Sequence, residues 1–542
     1  MVSSVDVTEG EAAPIRYGGR SLALAVLCLV LFLTFLDNTI VSVALGNLQQ
    51  QLHAGVTALQ WVVGAYALTF AGAMLAFGMV GDEFGRKRVM VIGIVIFCGG
   101  SVLSAVATNV DMLIAGRAVM GFGAAASEPG TLSMLRHIYT QERSRAKAVG
   151  VWTAVSSVAL ALGPVVGGGL IGYWDWRAIF WFNLILGAVA LLAVALVLPE
   201  SSDPDAHRVD IPGTVLGAAA ITALAFAVIS GEGSGFGSVL VVLLLCVCVA
   251  AIVAFFWWEY RAPHPLLDLR FLKVPRFLTA NVVAFCAYFA TFAVFFFTAL
   301  YLAEVVGDSG YEIALIFLPM TVLMVVSAVV AGRWTIAVGA RWSIFIGCVM
   351  FGAGLFLTSF SINPNPSYLP LAAALALAGI GIGTTVVPAT SSALSAVPPE
   401  RSGMAASATN TSREIGAVTG VAILGALVNA KLNSEIASKL QALGLPKSIQ
   451  QLVIHGVETG LTPASGSKNP GGGAGAGQPK LVQEVIQAAY SAFQSGLHAA
   501  LFLAAILVLA AGVFSFVLLG RPRQDESVPG RPAPAGSASS AD

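Results

Sequence analysis

Five charged residues sit in long apolar runs: Asp37, Arg117, Glu128, Arg413 and Glu414. A run of about 20 apolar residues has the length of a bilayer-crossing helix. A charge at the centre of such a helix costs on the order of 3 kcal/mol even by the mildest scales, so it marks a place that needs one. Carboxylates and guanidinium groups in that setting can carry protons, bind a charged solute, or tie helices together. Depth follows from counting at 1.5 Å per residue. If the first run points outward and the fourth inward, Asp37 lies about nine residues from its outer end and Arg117 about six from its own. The two share a depth and can pair. That pair is either a static lock between helices or part of a proton-handling site.

Arg117, Gly121, Ala124 and Glu128 follow at steps of four, three and four, so they share a helical face. Arg117 and Glu128 are about 16 Å apart along the axis and cannot pair. Glu128 therefore needs a partner of its own or a wet cavity. A carboxyl group kept from water favours its neutral form. Glu128 thus reads as a proton or cationic-substrate site, or as a structural carboxyl hydrogen-bonded to a neighbouring helix. Pro129 frees the carbonyl one turn back, near Ala125, and predicts a kink. Arg413 and Glu414 are adjacent and project about 100° apart, so at most one points squarely at the helix partner. With Asn410, Thr411 and Ser412 they make a polar helix, read as a cavity lining or as interhelical hydrogen bonding.

Phe285, Phe289, Phe292 and Phe296 also recur at four, three and four. In a cavity such a face would stack on flat apolar cations; facing lipid, it would be ordinary. The sequence has no nucleotide-binding loop, no metal-ligand cluster and no nucleophile–His–Asp arrangement. We expect no enzyme, no metal and no cofactor, with energy drawn from an ion gradient.

The elements that position these residues follow from composition. Of 542 residues, 57% are hydrophobic and only 10% charged. Soluble proteins carry roughly 25% charged residues, so a soluble enzyme is excluded. Lys and Arg number 28, as do Asp and Glu, which argues against nucleic acid as a partner. The six cysteines all lie in apolar runs without metal-ligand spacing and read as small buried hydrophobes. Fourteen segments are apolar and long enough to span. With the N-terminus in the cytoplasm, most of the 28 cations fall in cytoplasmic loops and tails, among them Arg86–Arg88 and Arg143–Lys147. The outside cations, Lys431, Lys439, Lys447, Lys468 and Lys480 with Arg177, gather mostly in one long loop, 432–488, rich in Gly near its middle. The polar start of the chain and its lack of a small-residue cleavage site argue against a cleavable signal peptide.

Six stretches carry a family likeness. The turn Gly78-Met79-Val80-Gly81-Asp82-Glu83-Phe84-Gly85-Arg86-Lys87-Arg88 resembles the signature loop of the major facilitator superfamily, in which the Asp helps latch the cytoplasmic gate. The fourth-helix run Arg117-Ala-Val-Met-Gly121-Phe-Gly123 resembles the motif whose Arg is implicated in proton coupling. Gly150, Gly163, Pro164, Gly167 and Gly168 resemble the antiporter motif of drug exporters, with Ala159 replacing a Gly. Leu36–Leu45, Trp176-Arg177 with Phe180 and Asn183, and Asn410-Thr-Ser-Arg413-Glu414-Ile-Gly416 are similar to the fourteen-helix drug:proton antiporter branch. Departures are Ser42 for Asn, Gly46 for Pro, Ile185 for Pro, Glu414 for Gln, and the carboxylate Glu128 at a position that is commonly apolar.

The resemblance implies an all-α polytopic fold. Two six-helix bundles, 21–198 and 277–519, flank an inserted pair within 199–276. A cytoplasmic N-tail covers 1–20 and a disordered cytoplasmic tail covers 520–542. It implies proton-coupled export of lipophilic, cationic small molecules from a bacterial inner membrane by a monomer with both termini cytoplasmic. Substrate, protons and membrane lipids are then its partners. Asp37, Arg117, Glu128, Arg413 and Glu414 would couple protons. Phe285, Phe289, Phe292, Phe296 and Asn410 would bind substrate. Gly78, Asp82, Gly85, Arg86 and Lys87 would form the gate loop. Alternatives are a dedicated exporter of one metabolite, lipid or antibiotic, and a non-transporting membrane sensor.

Overall fold

The structure is a computed structural model and describes residues 17–201, 210–263, 265–363, 368–398, 402–442 and 480–520. The expected N-tail up to Arg16, the middle of the 432–488 loop and the C-terminal tail from 521 lie outside the described residues. Fourteen of the described helices are long and apolar enough to cross a membrane. In lipid the backbone must satisfy itself, and helices do so. They are α1 (Gly19–Leu52), α2 (Val56–Phe84), α3 (Arg86–Ala105), α4 (Val110–Leu135), α5 (Glu142–Tyr173) and α6 (Arg177–Val197). The inserted pair is α7 (Ile211–Ser234) and α8 (Val239–Arg261). Then come α9 (Pro275–Val306), α10 (Gly310–Val338), α11 (Ala340–Ser361), α12 (Tyr368–Ser395), α13 (Ser402–Ala442) and α14 (Lys480–Leu518).

Packing repeats with an offset of eight helices. In the first bundle α1 meets α5 and α6, α2 meets α4, and α3 meets α4 and α6. In the second, α9 meets α13 and α14, α10 meets α12, and α11 meets α12 and α14. The bundles join through α2 against α13 and α5 against α10, which are again equivalent pairs. Local chemistry repeats as well. Gly85 (φ 107°) turns α2 into α3, and Gly339 (φ 84°) turns α10 into α11. Both backbone angles are ones that side-chain-bearing residues rarely adopt.

Three helices are interrupted, and each break has a sequence cause or a partner. Pro129 marks the break in α4 at Glu128, where it has no N–H to donate to the Ala125 carbonyl. The Thr131 hydroxyl donates to the Glu128 carbonyl at 2.6 Å. α1 tightens into a 3-10 turn over Val41–Ala44, and α9 ends in a π turn over Leu302–Val306.

Burial separates the roles of the helices. The apolar stretch of α9 is 89% buried, whereas that of α8 is 17% buried. The inserted pair is therefore peripheral. α7 lies against both bundles: Trp61 of α2 meets Phe226 at 4.4 Å between ring centres, and Ala225 packs with Val418 of α13.

Candidate functional site

All five charges singled out above converge at the centre of the helix assembly, and each is almost fully buried. Asp37 and Arg117 pair, with Arg117 Nη1 2.5 Å from Asp37 Oδ2. Asn183 of α6 donates to the other carboxylate oxygen at 2.6 Å. Arg117 also donates from Nε to the Val62 carbonyl at 3.1 Å and stacks over Tyr66 at 4.5 Å. Tyr66 in turn donates to the Thr34 carbonyl at 3.1 Å. Both charges are thus compensated within the first bundle. A buried pair of this kind loses about 3–5 kcal/mol when one partner is removed, because the other charge is stranded.

The two glutamates face the other bundle. Asn410 Nδ2 of α13 donates to Glu128 Oε1 at 2.8 Å, and Thr34 donates to Glu128 Oε2 at 3.2 Å. Asn38 Nδ2 of α1 donates to Glu414 Oε1 at 3.1 Å. Each bundle therefore offers one carboxyl group to an asparagine of the other. Arg413 takes a different direction, as the 100° separation requires. It donates to Asn410 Oδ1 at 3.1 Å and to the Thr390 hydroxyl of α12, and stacks on Tyr288 of α9 at 5.3 Å. Its hydrogen bonds run to neutral groups, and it bridges the helices of the second bundle to the Glu128 clasp.

A backbone device sets the α1–α5 contact. Pro164 has no N–H, so the carbonyl of Leu160 loses its helical donor. The Thr39 hydroxyl donates to that carbonyl at 2.8 Å. A Cβ at Gly163 would overlap Thr39 Oγ1, and one at Gly167 would lie 2.5 Å from the Ile40 carbonyl oxygen. Gly168 instead faces α10, where a Cβ would lie 2.6 Å from the Gly310 carbonyl oxygen. Gly150 is exposed, and a Cβ there would meet nothing within 4 Å. The motif is therefore three contact residues and a proline, with Gly150 outside the contact.

The phenylalanine face lies inside the helix assembly rather than on lipid. Gly416 and Gly420 of α13 sit against the backbone of Phe285 and Phe289, repeating the α1–α5 contact in the second bundle. Phe292 stacks on Tyr288 at 6.1 Å, and Phe296 is 1% exposed.

At the turn between α2 and α3, Gly78 approaches the second bundle. A Cβ there would lie 3.6 Å from Ser407 Oγ. Arg86 and Lys87 bind the end of α6 within their own bundle. Arg86 Nη1 donates to Ser201 Oγ at 3.1 Å, and Lys87 Nζ donates to the Ala195 carbonyl at 2.8 Å. Cations suit the negative end of a helix dipole. The Asp82 side chain lies outside the described residues.

Sequence reasoning did not select Asn38, Asn183, Thr34, Tyr66, Tyr288 or Thr390 as site residues. The signal was present for the two asparagines, since each is an amide within an apolar spanning segment and adjoins or meets Asp37. Tyr288 was hidden in a run of phenylalanines.

Two repeated bundles joined over a buried polar centre define a polytopic membrane transporter. The chain belongs to the major facilitator superfamily, whose family model matches residues 27–421. It is similar to the multidrug resistance protein Stp of Mycobacterium tuberculosis, 30% identical over 80% of each chain. The methylenomycin A resistance protein of Bacillus subtilis is 34% identical over 75% of this chain and 87% of that one. The multidrug efflux pump LfrA of Mycolicibacterium smegmatis is 29% identical over 93% of this chain and 97% of that one. Among solved structures, a bacterial homologue of the human lysosomal transporter Spinster, inward-facing and unoccupied, aligns with a TM-score of 0.61. It is 17% identical and covers 94% of this chain and 98% of that one, which shows the shared fold.

Proposed function

We propose that this protein exports lipophilic small molecules, cations among them, in exchange for protons, by alternating access. The observation that carries the reading is the pair of crossed clasps, Asn410 to Glu128 and Asn38 to Glu414. A carboxylate only accepts hydrogen bonds, whereas a carboxylic acid also donates one. Protonation of either glutamate therefore changes a contact that holds the two bundles together. A cation entering beside a deprotonated glutamate would compete with the asparagine for the same oxygen. Protons and cargo then act on the same contact from opposite sides. Asp37, held by Arg117 and Asn183, sits beside this centre as a third carboxylate.

In this reading the end bearing Arg86–Arg88 faces the cytoplasm of a bacterium, both termini are cytoplasmic, and a monomer is the working unit. One proton moving down about 100 mV contributes about 2.3 kcal/mol. One pH unit adds about 1.4 kcal/mol. Together they sustain roughly a 500-fold gradient of neutral cargo. Exchange of one proton for one monovalent cation is electroneutral, so only the pH part remains, about tenfold per unit. Two glutamates at the bundle contact would allow a second proton and a steeper gradient. A dedicated exporter of one antibiotic is the second reading, favoured by a relative named for methylenomycin A resistance.

The test is proton flux in everted vesicles or proteoliposomes on adding lipophilic cations. Wild type should release protons, and Asp37→Asn and Glu128→Gln should each suppress the response. A response that survives in both variants would remove the proton assignment.

A further inference from the structure

A second polar site lies at the end of the molecule opposite the Arg86–Arg88 turn. A cavity of about 50 Å³ opens there among α1, α9, α13 and α14, with Gln49, Glu304, Leu300, Leu432, Tyr490 and Phe493 on its walls. Glu304 sits in the middle of the π turn that ends α9, just before the left-handed Gly307. π turns move side chains out of the helical register and recur at functional sites. Gln50 of α1 lies beside Glu304. Among the described residues, Glu304 Oε1 and Gln49 Oε1 are both buried without a hydrogen-bond partner. Gly46 allows the π turn to come this close, since a Cβ there would lie 2.6 Å from that of Ala303 and 3.5 Å from Glu304 Oε1. The departure from the family's proline at Gly46 thus coincides with this site.

Buried polar atoms are nearly always paired, so two unpaired acceptors on one cavity mark it as a place for a hydrogen-bond donor. Both unpaired atoms are acceptors, and one belongs to an acid. The occupant must therefore donate hydrogen bonds, and a positive charge suits it best. The volume admits one or two water-sized groups. The remaining walls are mostly apolar. Tyr490 stands on the α14 side, and Tyr301, stacked on Phe493 at 6.0 Å, lies one turn before Glu304. Asp308 follows the π turn and accepts a hydrogen bond from Tyr368. Glu304 is the only charged group among the lining residues.

We propose that this cavity binds a compact hydrogen-bond-donating cation, a primary ammonium head, held by Glu304 and Gln49 and separate from the central carboxylates. The test uses the full chain in lipid nanodiscs and no export assay. In alkaline buffer, radiolabelled methylammonium should bind saturably, and Glu304→Gln should weaken that binding by about tenfold or more. Gln49→Leu removes the second acceptor without touching the charge and should weaken binding too, so a Glu304→Gln protein that fails to fold does not end the test. No saturable binding, or methylammonium binding that both variants retain, overturns the proposal.

Discussion

Asn410 of α13 donates to Glu128 of α4 at 2.8 Å, across 282 positions of sequence and across the contact between the two bundles. The same asparagine accepts from Arg413 through its other atom. One amide thereby connects the cation of one bundle to the acid of the other. Asn38 makes a simpler contact: it donates to Glu414, and its own oxygen has no partner.

That difference predicts unequal costs. Asn410→Leu strands an oxygen of Glu128 and an N–H of Arg413, at about 1–3 kcal/mol each. Asn38→Leu strands Glu414 Oε1, whose companion Oε2 is already without a partner among the described residues, but it also removes the unpaired Asn38 oxygen. Thermal unfolding of the purified variants should therefore rank Asn410→Leu below Asn38→Leu, with both below wild type. Equal midpoints would contradict the bridging role of Asn410.

Asp37→Asn should destabilise by about 3–5 kcal/mol, because Arg117 is left buried and unpaired. Asp37→Asn combined with Arg117→Gln should recover much of that loss, as removal of both charges lifts the penalty. Proton-coupled transport should stay impaired in the double variant. Recovery of transport along with stability would reduce the pair to a static lock.

Thr39→Val removes the hydroxyl that serves the Leu160 carbonyl freed by Pro164, at a cost of about 1–3 kcal/mol. Pro164→Ala returns a helical N–H to that carbonyl. The double variant should then lose less than Thr39→Val alone, with a coupling of about 1 kcal/mol in a double-mutant cycle of unfolding free energies. Strict additivity would mean that the hydroxyl and the proline act independently.

Within the antiporter motif, substitutions should separate sharply. Gly163→Ala drives a Cβ into the Thr39 hydroxyl and should deplete folded protein in the membrane. Gly150→Ala meets open space and should shift stability by no more than about 0.5–1 kcal/mol, in the favourable direction for an interior helix position. Expression and melting of the two variants in parallel decide the point.

The pairing of Asp37 with Arg117 was legible because depth along a helix is fixed by a constant rise. The partner of Glu128 was not, since the register of α4 against α13 is set by tertiary packing that no local periodicity records. Only the need for a partner could be read. The phenylalanine spacing marked a shared face of α9, but what meets that face depends on Gly416 and Gly420, more than a hundred residues away. The kink at Glu128 followed directly from Pro129. The role of Gly150 did not follow from the motif, because spacing alone cannot tell a contact glycine from an exposed one.

The position of α7 has a mechanical consequence. The bundles meet along two seams, and only one is covered. Parting α2 from α13 must slide α7 along or shear the contacts of Trp61 with Phe226 and of Ala225 with Val418. Parting α5 from α10 meets no such strap. A rocking motion of the two bundles is thus braced on one flank and free on the other. The inserted pair turns a symmetric pair of seams into a one-sided hinge.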